Sequence, residues 1–428
     1  MNTPLTRRQA LKAGAAALAI PAIVPASVLG KNPPSERIAV GVIGTGKKAW
    51  GGAHNLKGFG GCDIIALADP NAPNMKRYAA KFGVPAGRRF QDFRKLLQIK
   101  DVDAVLIATP DHWHVLCAKA AAEAGKHVYC EKPLSNTIEE GRALVDAVNK
   151  AGVVFQHGTQ LRSSISSRRV CQLVRNGYIG KVTTVTIGSP PGHATGDHPV
   201  RPVPETLDWD MWVGPAPKIG YRPIIVGGIR RNKLRGWYFI EQFSRAGWIA
   251  GYGVHDIDLA HWGLGLEHTG PVTVEGKGNY PAKGLFNTVL KFNLKFTYAD
   301  GRKIVMTDTS KNRHGVTFHA ENGKDWLFCR GHMAASNREL LREKRKPGDT
   351  ELYVSNQHEK NFVDCIKSGK KTITPIEVAH RSTSVCLIGG ICLKLGRKLQ
   401  WDPKTERFVN DDEANKLLSY PMRTPWHM

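Results

Sequence analysis

Acidic residues are scarce in this sequence. Asp and Glu total 37 against 61 Lys and Arg, a formal charge of +24 over 428 residues. Such an excess raises nucleic acid, anionic polymers or a membrane surface as partners. The basic residues are spread along the chain, the densest run being residues 342–346 (REKRK), and no zinc-finger, RNP or basic-zipper pattern accompanies them. They are read as surface charge, with no nucleic-acid partner expected. The eight cysteines (Cys62, Cys117, Cys130, Cys171, Cys329, Cys365, Cys386, Cys392) form no C-x-x-C pair and no metal-ligand spacing. No disulfide framework is expected, and the thiols read as small core residues. Internal repeats are missing, which argues against a solenoid. What remains, 41% hydrophobic and 23% charged residues, excludes collagen and disorder and leaves room for two domains.

The first thirty residues read as an export signal. Thr6-Arg7-Arg8-Gln9-Ala10-Leu11-Lys12 precedes an Ala-rich apolar stretch at residues 13–24 and then small residues with proline, a twin-arginine pattern. The apolar stretch is too short for a comfortable membrane span, so no anchor is expected after cleavage. Removing residues 1–30 takes away three basic residues and no acid, so the charge falls from +24 to +21. The expected location is therefore periplasmic. Chains sent by this route fold before export, which lets buried thiols stay reduced.

After a linker at 31–36, apolar runs at 38–43, 64–68, 104–108 and 126–130 alternate with helical patterns at 75–82, 93–97 and 115–124, and Thr137 caps a helix at 138–150. One more strand is expected at 153–155. Unbroken apolar strands separated by helices mean a parallel sheet, here a Rossmann domain over 37–157. Residues 158–428 read as an α+β domain with a largely antiparallel sheet, open on one face and available for self-association into a homo-oligomer. Alternating stretches at 182–187, 272–277, 289–298, 303–307 and 316–319 carry that expectation, with helices at 168–176, 360–367 and 376–395. A Pro-, Gly- and Trp-rich insertion occupies 188–247, a length that is usually functional.

The first strand delivers Gly44-Thr45-Gly46, and only glycine lets backbone N–H groups approach a pyrophosphate at a helix N-terminus. The third glycine of the fingerprint is missing; Ala49 stands there, and Gly51-Gly52 suggests a lengthened turn. Asp69 ends the second strand 25 residues after Gly44, where a carboxylate binds both ribose hydroxyls and repels a 2′-phosphate. The expected cofactor is NAD.

Ala108-Thr109-Pro110-Asp111-His112-Trp113-His114 and Lys126-His127-Val128-Tyr129-Cys130-Glu131-Lys132-Pro133-Leu134 end two further strands, at the sheet edge where ligands bind. Together with the glycine loop, these segments resemble the glucose-fructose oxidoreductase/inositol dehydrogenase/rhizopine-catabolism (Gfo/Idh/MocA) oxidoreductase family. Gly158-Thr159-Gln160, residues 208–215 and the tail 396–403 extend the resemblance over the whole mature chain and, with the signal, point to its exported subgroup. The resemblance implies that Lys132 sits beside nicotinamide and substrate hydroxyl, that Glu131 holds the nicotinamide ribose, and that Thr109, Pro110, His114 and Gln160 line the cofactor. A lysine partly desolvated next to positive charge has its pKa lowered and can relay a proton near neutral pH.

The family's second catalytic segment has an Asp four residues before a His and a further Asp three residues after it. His255 and Asp258 match, but Gly251 stands at the first Asp position. Tyr252 and Asp256 are candidate replacements. His255, Asp256, Asp258 and His261 also suggest a metal set, but His261 falls off the helical face shared by His255 and Asp258, and no metal is expected. Trp113, Arg162, Arg235, Trp237 and Asp258 are candidate substrate contacts, since aromatic faces stack on sugars and guanidinium groups bind carboxylate or sulfate. His193 and His198 lie on a loop that could border the same cleft. The expected activity is oxidation of a sugar or polyol hydroxyl by an exported enzyme that retains its cofactor. NAD-dependent glycoside cleavage through transient oxidation and non-catalytic binding of anionic polysaccharide are the alternatives.

Overall fold

The computed structural model describes residues 36–227 and 235–428. The export segment lies outside the described residues, as do linker residues 31–35. The first sheet comprises β1 (Ile38–Ile43), β2 (Cys62–Ala68), β3 (Arg89–Phe90), β4 (Ala104–Ile107), β5 (His127–Cys130) and β6 (Phe155–His157). All pairings are parallel, in the order β3-β2-β1-β4-β5-β6. Helices α1 (Lys47–Gly58) and α2 (Ala72–Phe82) cover one face; α3 (Phe93–Leu97), α4 (His114–Glu123) and α5 (Ile138–Ala151) cover the other. β4 accordingly sends Leu106 into one core and Val105 and Ile107 into the other. Burial on both faces is why the strand reads as an unbroken apolar run.

Two local expectations need correction. The turn after β1 is not lengthened: α1 begins at Lys47, directly after Gly46, and Gly51 and Gly52 lie inside the helix. A Cβ on Gly52 would stand 3.2 Å from the Leu106 side chain, so this glycine allows close approach of helix to strand. The last strand is Phe155–His157 rather than 153–155, because Gly152 ends α5 with φ +66° and Val153 and Val154 carry the chain back to the sheet. Thr137 caps α5 as expected: its Oγ1 accepts from Glu140 N (3.3 Å), while Glu140 Oε2 accepts from Thr137 N (2.9 Å).

The second sheet follows α6 (Ile165–Arg175). β7 (Val182–Ser189) leads through short helices α7 (Trp209–Val213), α8 (Pro223–Val226) and α9 (Trp248–Gly251) to α10 (Gly253–Leu264). Then come β8 (Thr273–Asn279), β9 (Lys291–Thr297), β10 (Lys303–Asp308), β11 (Gly315–Ala320), β12 (Trp326–Arg330), β13 (His332–Ala335), α11 (His358–Ser368), α12 (Ile376–Leu395), β14 (Leu399–Asp402) and β15 (Arg407–Phe408). The order is β13-β12-β11-β7-β10-β9-β8-β14-β15, antiparallel except for the central β7–β10 pair. β9 buries Phe292, Leu294 and Phe296 and exposes Lys291 and Asn293, the alternation of a sheet with one open face. α6, α10 and α12 fill the covered face. α12 is long and apolar enough to cross a membrane by length and composition, yet most of it is buried in this core.

The insertion is ordered over its described part by an aromatic core that includes Trp209, Trp212, Phe239, Phe243 and Trp248. α11 returns to the first domain, where Phe362 and Val363 join the core of β1 and α1. All eight cysteines are buried and free.

Candidate active site

The connections from β1 and β4 leave in opposite directions, and a crevice opens at their carboxyl ends, the ligand position in open parallel sheets. Gly44 has φ +83°, and a Cβ there would stand 2.8 Å from the Ala108 carbonyl, so only glycine lets the two turns touch. Gly46 caps α1 without a side-chain bond, and a Cβ on it would meet nothing within 4 Å. The first N–H groups of the helix are thus left for a ligand. Asp69 braces this loop. Its Oδ2 accepts from Thr45 N (2.8 Å) and Thr45 Oγ1 (2.9 Å), and among the described residues its Oδ1 accepts from Asn71 N alone (2.8 Å). Burial pushes its carboxyl up, and these hydrogen bonds pull it back.

A cavity of about 1010 Å³ runs from this loop past the described part of the insertion to the start of α10. That is at the top of the usual range for ligand sites, about 300–1,000 Å³. Gly44, Gly46, Asp69, Thr109 and Pro110 line it. His114 faces the carbonyls of Pro133 (Nδ1, 2.6 Å) and Thr109 (Nε2, 3.1 Å), tying the turns after β4 and β5 together. Glu131 is buried and pairs with Lys48 (3.2 Å). The Gln160 amide, oriented to satisfy both ends, donates to the Gly158 carbonyl (2.5 Å) and accepts from the same Lys48 (3.0 Å). Thr109 Oγ1 is buried without a partner. A glycine cradle, a braced carboxylate and an unpaired hydroxyl fit a dinucleotide.

Lys132 and His255 line the same cavity. Lys132 Nζ donates to the Gly251 carbonyl (2.5 Å) and lies 5.8 and 5.6 Å from the ring centroids of Tyr238 and Tyr252. Burial pushes this ammonium down, while Asp111 and Glu131 oppose the shift. His255 is buried, its Nδ1 has no partner, and burial with the nearby Lys132 depresses its pKa well below the ordinary value, so the ring is neutral. Tyr238 stacks on Trp237 (3.7 Å between centroids, 27°) and on Trp248 (5.6 Å, 15°), making an aromatic wall. Arg235 lines the cavity beside it, its guanidinium held by the Val226 carbonyl.

Residues 38–159 match the family model described as the NAD-binding Rossmann fold of the Gfo/Idh/MocA oxidoreductases, and residues 163–428 match that family's C-terminal alpha/beta domain. The chain belongs to the Gfo/Idh/MocA oxidoreductase family. Its first domain is therefore the NAD-binding domain of that family. Among curated relatives, levoglucosan dehydrogenase of Pseudarthrobacter phenanthrenivorans is 34% identical over 34% of this chain and 39% of its own length. Myo-inositol 2-dehydrogenase of Thermotoga maritima is 31% identical over 35% of this chain and 44% of its own. The match thus spans less than half of either relative. Among solved structures, the aldose-aldose oxidoreductase from Caulobacter crescentus, complexed with glycerol, has a TM-score of 0.60 at 18% identity, covering 85% of this chain and 99% of that one. At that identity the likeness shows a shared Gfo/Idh/MocA fold.

Two expected substrate contacts are corrected. Arg162 and Asp258 do not line the cavity; they bind each other bidentately (Nε–Oδ2 and Nη2–Oδ1, both 2.8 Å), with side chains 4% and 2% exposed. A buried charge needs a partner, and each is the other's. Asp256, offered as a replacement at the Gly251 position, is engaged by Arg330 (2.6 Å), and His261 by the Tyr298 hydroxyl (2.6 Å). Trp113 touches the cavity but is held by structure: its Nε1 donates to the Trp212 carbonyl (3.0 Å), and its ring packs edge-on against Trp426. His193 packs on Phe239 and His198 faces Thr195 Oγ1 (2.8 Å); neither lines the cavity.

Sequence reasoning missed Lys48, Asp111, Tyr238 and Trp248, all of which line the cavity, whereas Tyr252, offered as a replacement at the Gly251 position, does line it. Lys48 and Asp111 carried a signal, two residues after the glycine loop and inside the segment 108–114. The aromatic residues had only composition to mark them.

Proposed function

We propose that the protein is an exported oxidoreductase that oxidises a hydroxyl of a sugar or polyol with NAD it does not release, the hydride then passing to the carbonyl of a second substrate so that the bound cofactor returns to its starting state. One observation carries this: Lys132 and the neutral His255 share a single cavity with the glycine cradle and with the aromatic wall. NAD, when bound, supplies the hydride acceptor. Lys132, its charge disfavoured by burial, takes the hydroxyl proton. His255 hydrogen-bonds the reacting oxygen, and Tyr238 offers a ring face to the sugar, as aromatic residues do at carbohydrate sites. Asp69 favours a free 2′-hydroxyl over a 2′-phosphate. The relatives that act on levoglucosan and myo-inositol support a polyhydroxylated substrate.

Export and retention are joined by a physical requirement. A periplasm-type compartment has no pool of free nicotinamide nucleotide, so an exported enzyme that released its cofactor would stop after one turnover. The twin-arginine pattern at residues 6–12 supports folding, and hence loading, before export. Retention then needs a slow off-rate, which large buried contacts with the cofactor can supply. Protein purified without added nucleotide should release about one NAD(H) per chain on denaturation, measured by enzymatic assay. Mass spectrometry of products from mixtures of free sugars and glycosides should show oxidised sugar together with a matching amount of a reduced carbonyl co-substrate. An empty site with activity strictly dependent on consumed NAD overturns retention. Cleaved glycoside moves the chemistry to elimination, and a loaded protein with no turnover on any sugar sinks the enzyme assignment.

A further inference from the structure

Among the described residues, no carboxylate hydrogen-bonds the Lys132 ammonium; the direct partner of Nζ is the uncharged Gly251 carbonyl, while Glu131 Oε2 accepts only from the Lys132 backbone N (3.4 Å). Asp256 and Asp258 are taken by Arg330 and Arg162, and Glu131 by Lys48. One acid in the cavity stays incompletely paired. Asp111 opens the short turn Asp111–Trp113 after β4, is 2% exposed, and lines the same cavity. Its Oδ2 accepts from Ser244 Oγ (2.7 Å), and its Oδ1 is buried with no partner. An unpaired carboxylate oxygen away from water is costly unless a charge answers it.

We propose that Asp111 is a positioning residue for the proton relay, the counter-charge that sets the protonation of Lys132 across the cavity. This rests on the assignment of Lys132 above. Burial pushes the Asp111 carboxyl up to about 7 and the Lys132 ammonium down, so the two groups approach each other in proton affinity. Such a pair titrates as a unit. The other groups acting on it do not replace this role. Lys48 and Arg330 are positive and lower Lys132 further, and among the described residues Glu131 raises it less than Asp111 does. His157 and His255 face Lys132 but are held neutral by burial, and burial lowers His114 in the same direction. The Tyr238 phenol and the Cys130 thiol, which face Asp111, are kept protonated by burial.

The test is competitive acetylation of the whole purified protein with limiting acetic anhydride across pH, reading the Lys132 peptide by mass spectrometry. This titrates the amine without needing a substrate. Asp111→Asn should move the Lys132 midpoint down by about one pH unit or more, the usual effect of losing an adjacent opposite charge. Asp111→Glu should restore most of it. If Asp111→Asn fails to fold, Ser244→Ala should move the midpoint the same way by less, because the hydroxyl it removes holds Asp111 ionised. Unmoved midpoints in the folded variants overturn the role of Asp111 even where Lys132→Met abolishes turnover. Normal turnover by Lys132→Met instead removes the assignment on which it rests.

Discussion

Charged residues sit in two kinds of surroundings in this protein. Around α10, Arg162 meets Asp258 in a two-bond fork that engages both carboxylate oxygens. In the cavity, Lys132 leans on a backbone carbonyl, Asp111 has an oxygen with no partner, and His255 has a bare ring nitrogen. Both sets are buried. What separates them is completeness: a fully answered ion pair locks packing and has no capacity left for a ligand, whereas an incompletely answered group is held ready for one. The resemblance to an oxidoreductase family placed Asp258 with the functional residues, and its partner moved it to the other set.

The largest expected effect tests the complete set. Arg162→Leu strands the Asp258 carboxylate and should cost about 3–5 kcal/mol of folding stability, measured by urea denaturation, whereas the double variant Arg162→Met/Asp258→Leu should recover most of the loss. Equal losses in both would mean that the pair matters for shape rather than for charge.

Lys132→Met tests the incomplete set. It should retain bound nucleotide and fold normally but turn over about a hundredfold more slowly, near 2.7 kcal/mol in barrier terms. Turnover within a few-fold of the parent protein would place Lys132 among the structural charges.

A smaller effect sharpens the contrast through pH. The Asp111 carboxyl titrates at about 7 when folded, against an ordinary value of 3.8. Between these values the folded state holds a proton that the unfolded chain has released, so this group's contribution to stability falls as pH rises. Relative to the parent, Asp111→Asn should gain stability from about pH 4 to 7 and then level off, read by denaturation at each pH. A difference that stays flat across that window would mean that Asp111 is fully answered in the fold.

The smallest effect concerns a neutral contact remote from this contrast. Thr137→Ala removes the capping box of α5 and should cost about 1 kcal/mol with kinetics unchanged.

Much of the first domain was legible because its signals are local. Strands buried on both faces announce themselves as apolar runs, Thr137 and Glu140 form a cap within four residues, and Gly44 is demanded by a single turn. The second sheet was less so. β12, β13, β14 and β15 are short strands whose residues alternate too briefly to register, and the parallel β7–β10 pairing joins segments more than a hundred residues apart. The Gly188–Gly247 region showed its aromatic richness but not that Tyr238 would stack between Trp237 and Trp248 facing Lys132.

Sequence alone determined where the cofactor cradle lies and that Lys132 stands at the end of a parallel strand, because backbone conformation and strand burial depend on near neighbours. Tertiary structure alone decided which charges are spent and which are left over. Arg162 and Asp258 are separated by 96 positions, Asp111 and Ser244 by 133, and Lys132 and Gly251 by 119. Whether a buried charge is answered depends on what the fold brings within about 3 Å of it, the reach of a hydrogen bond, and spacing along the chain carries no record of that.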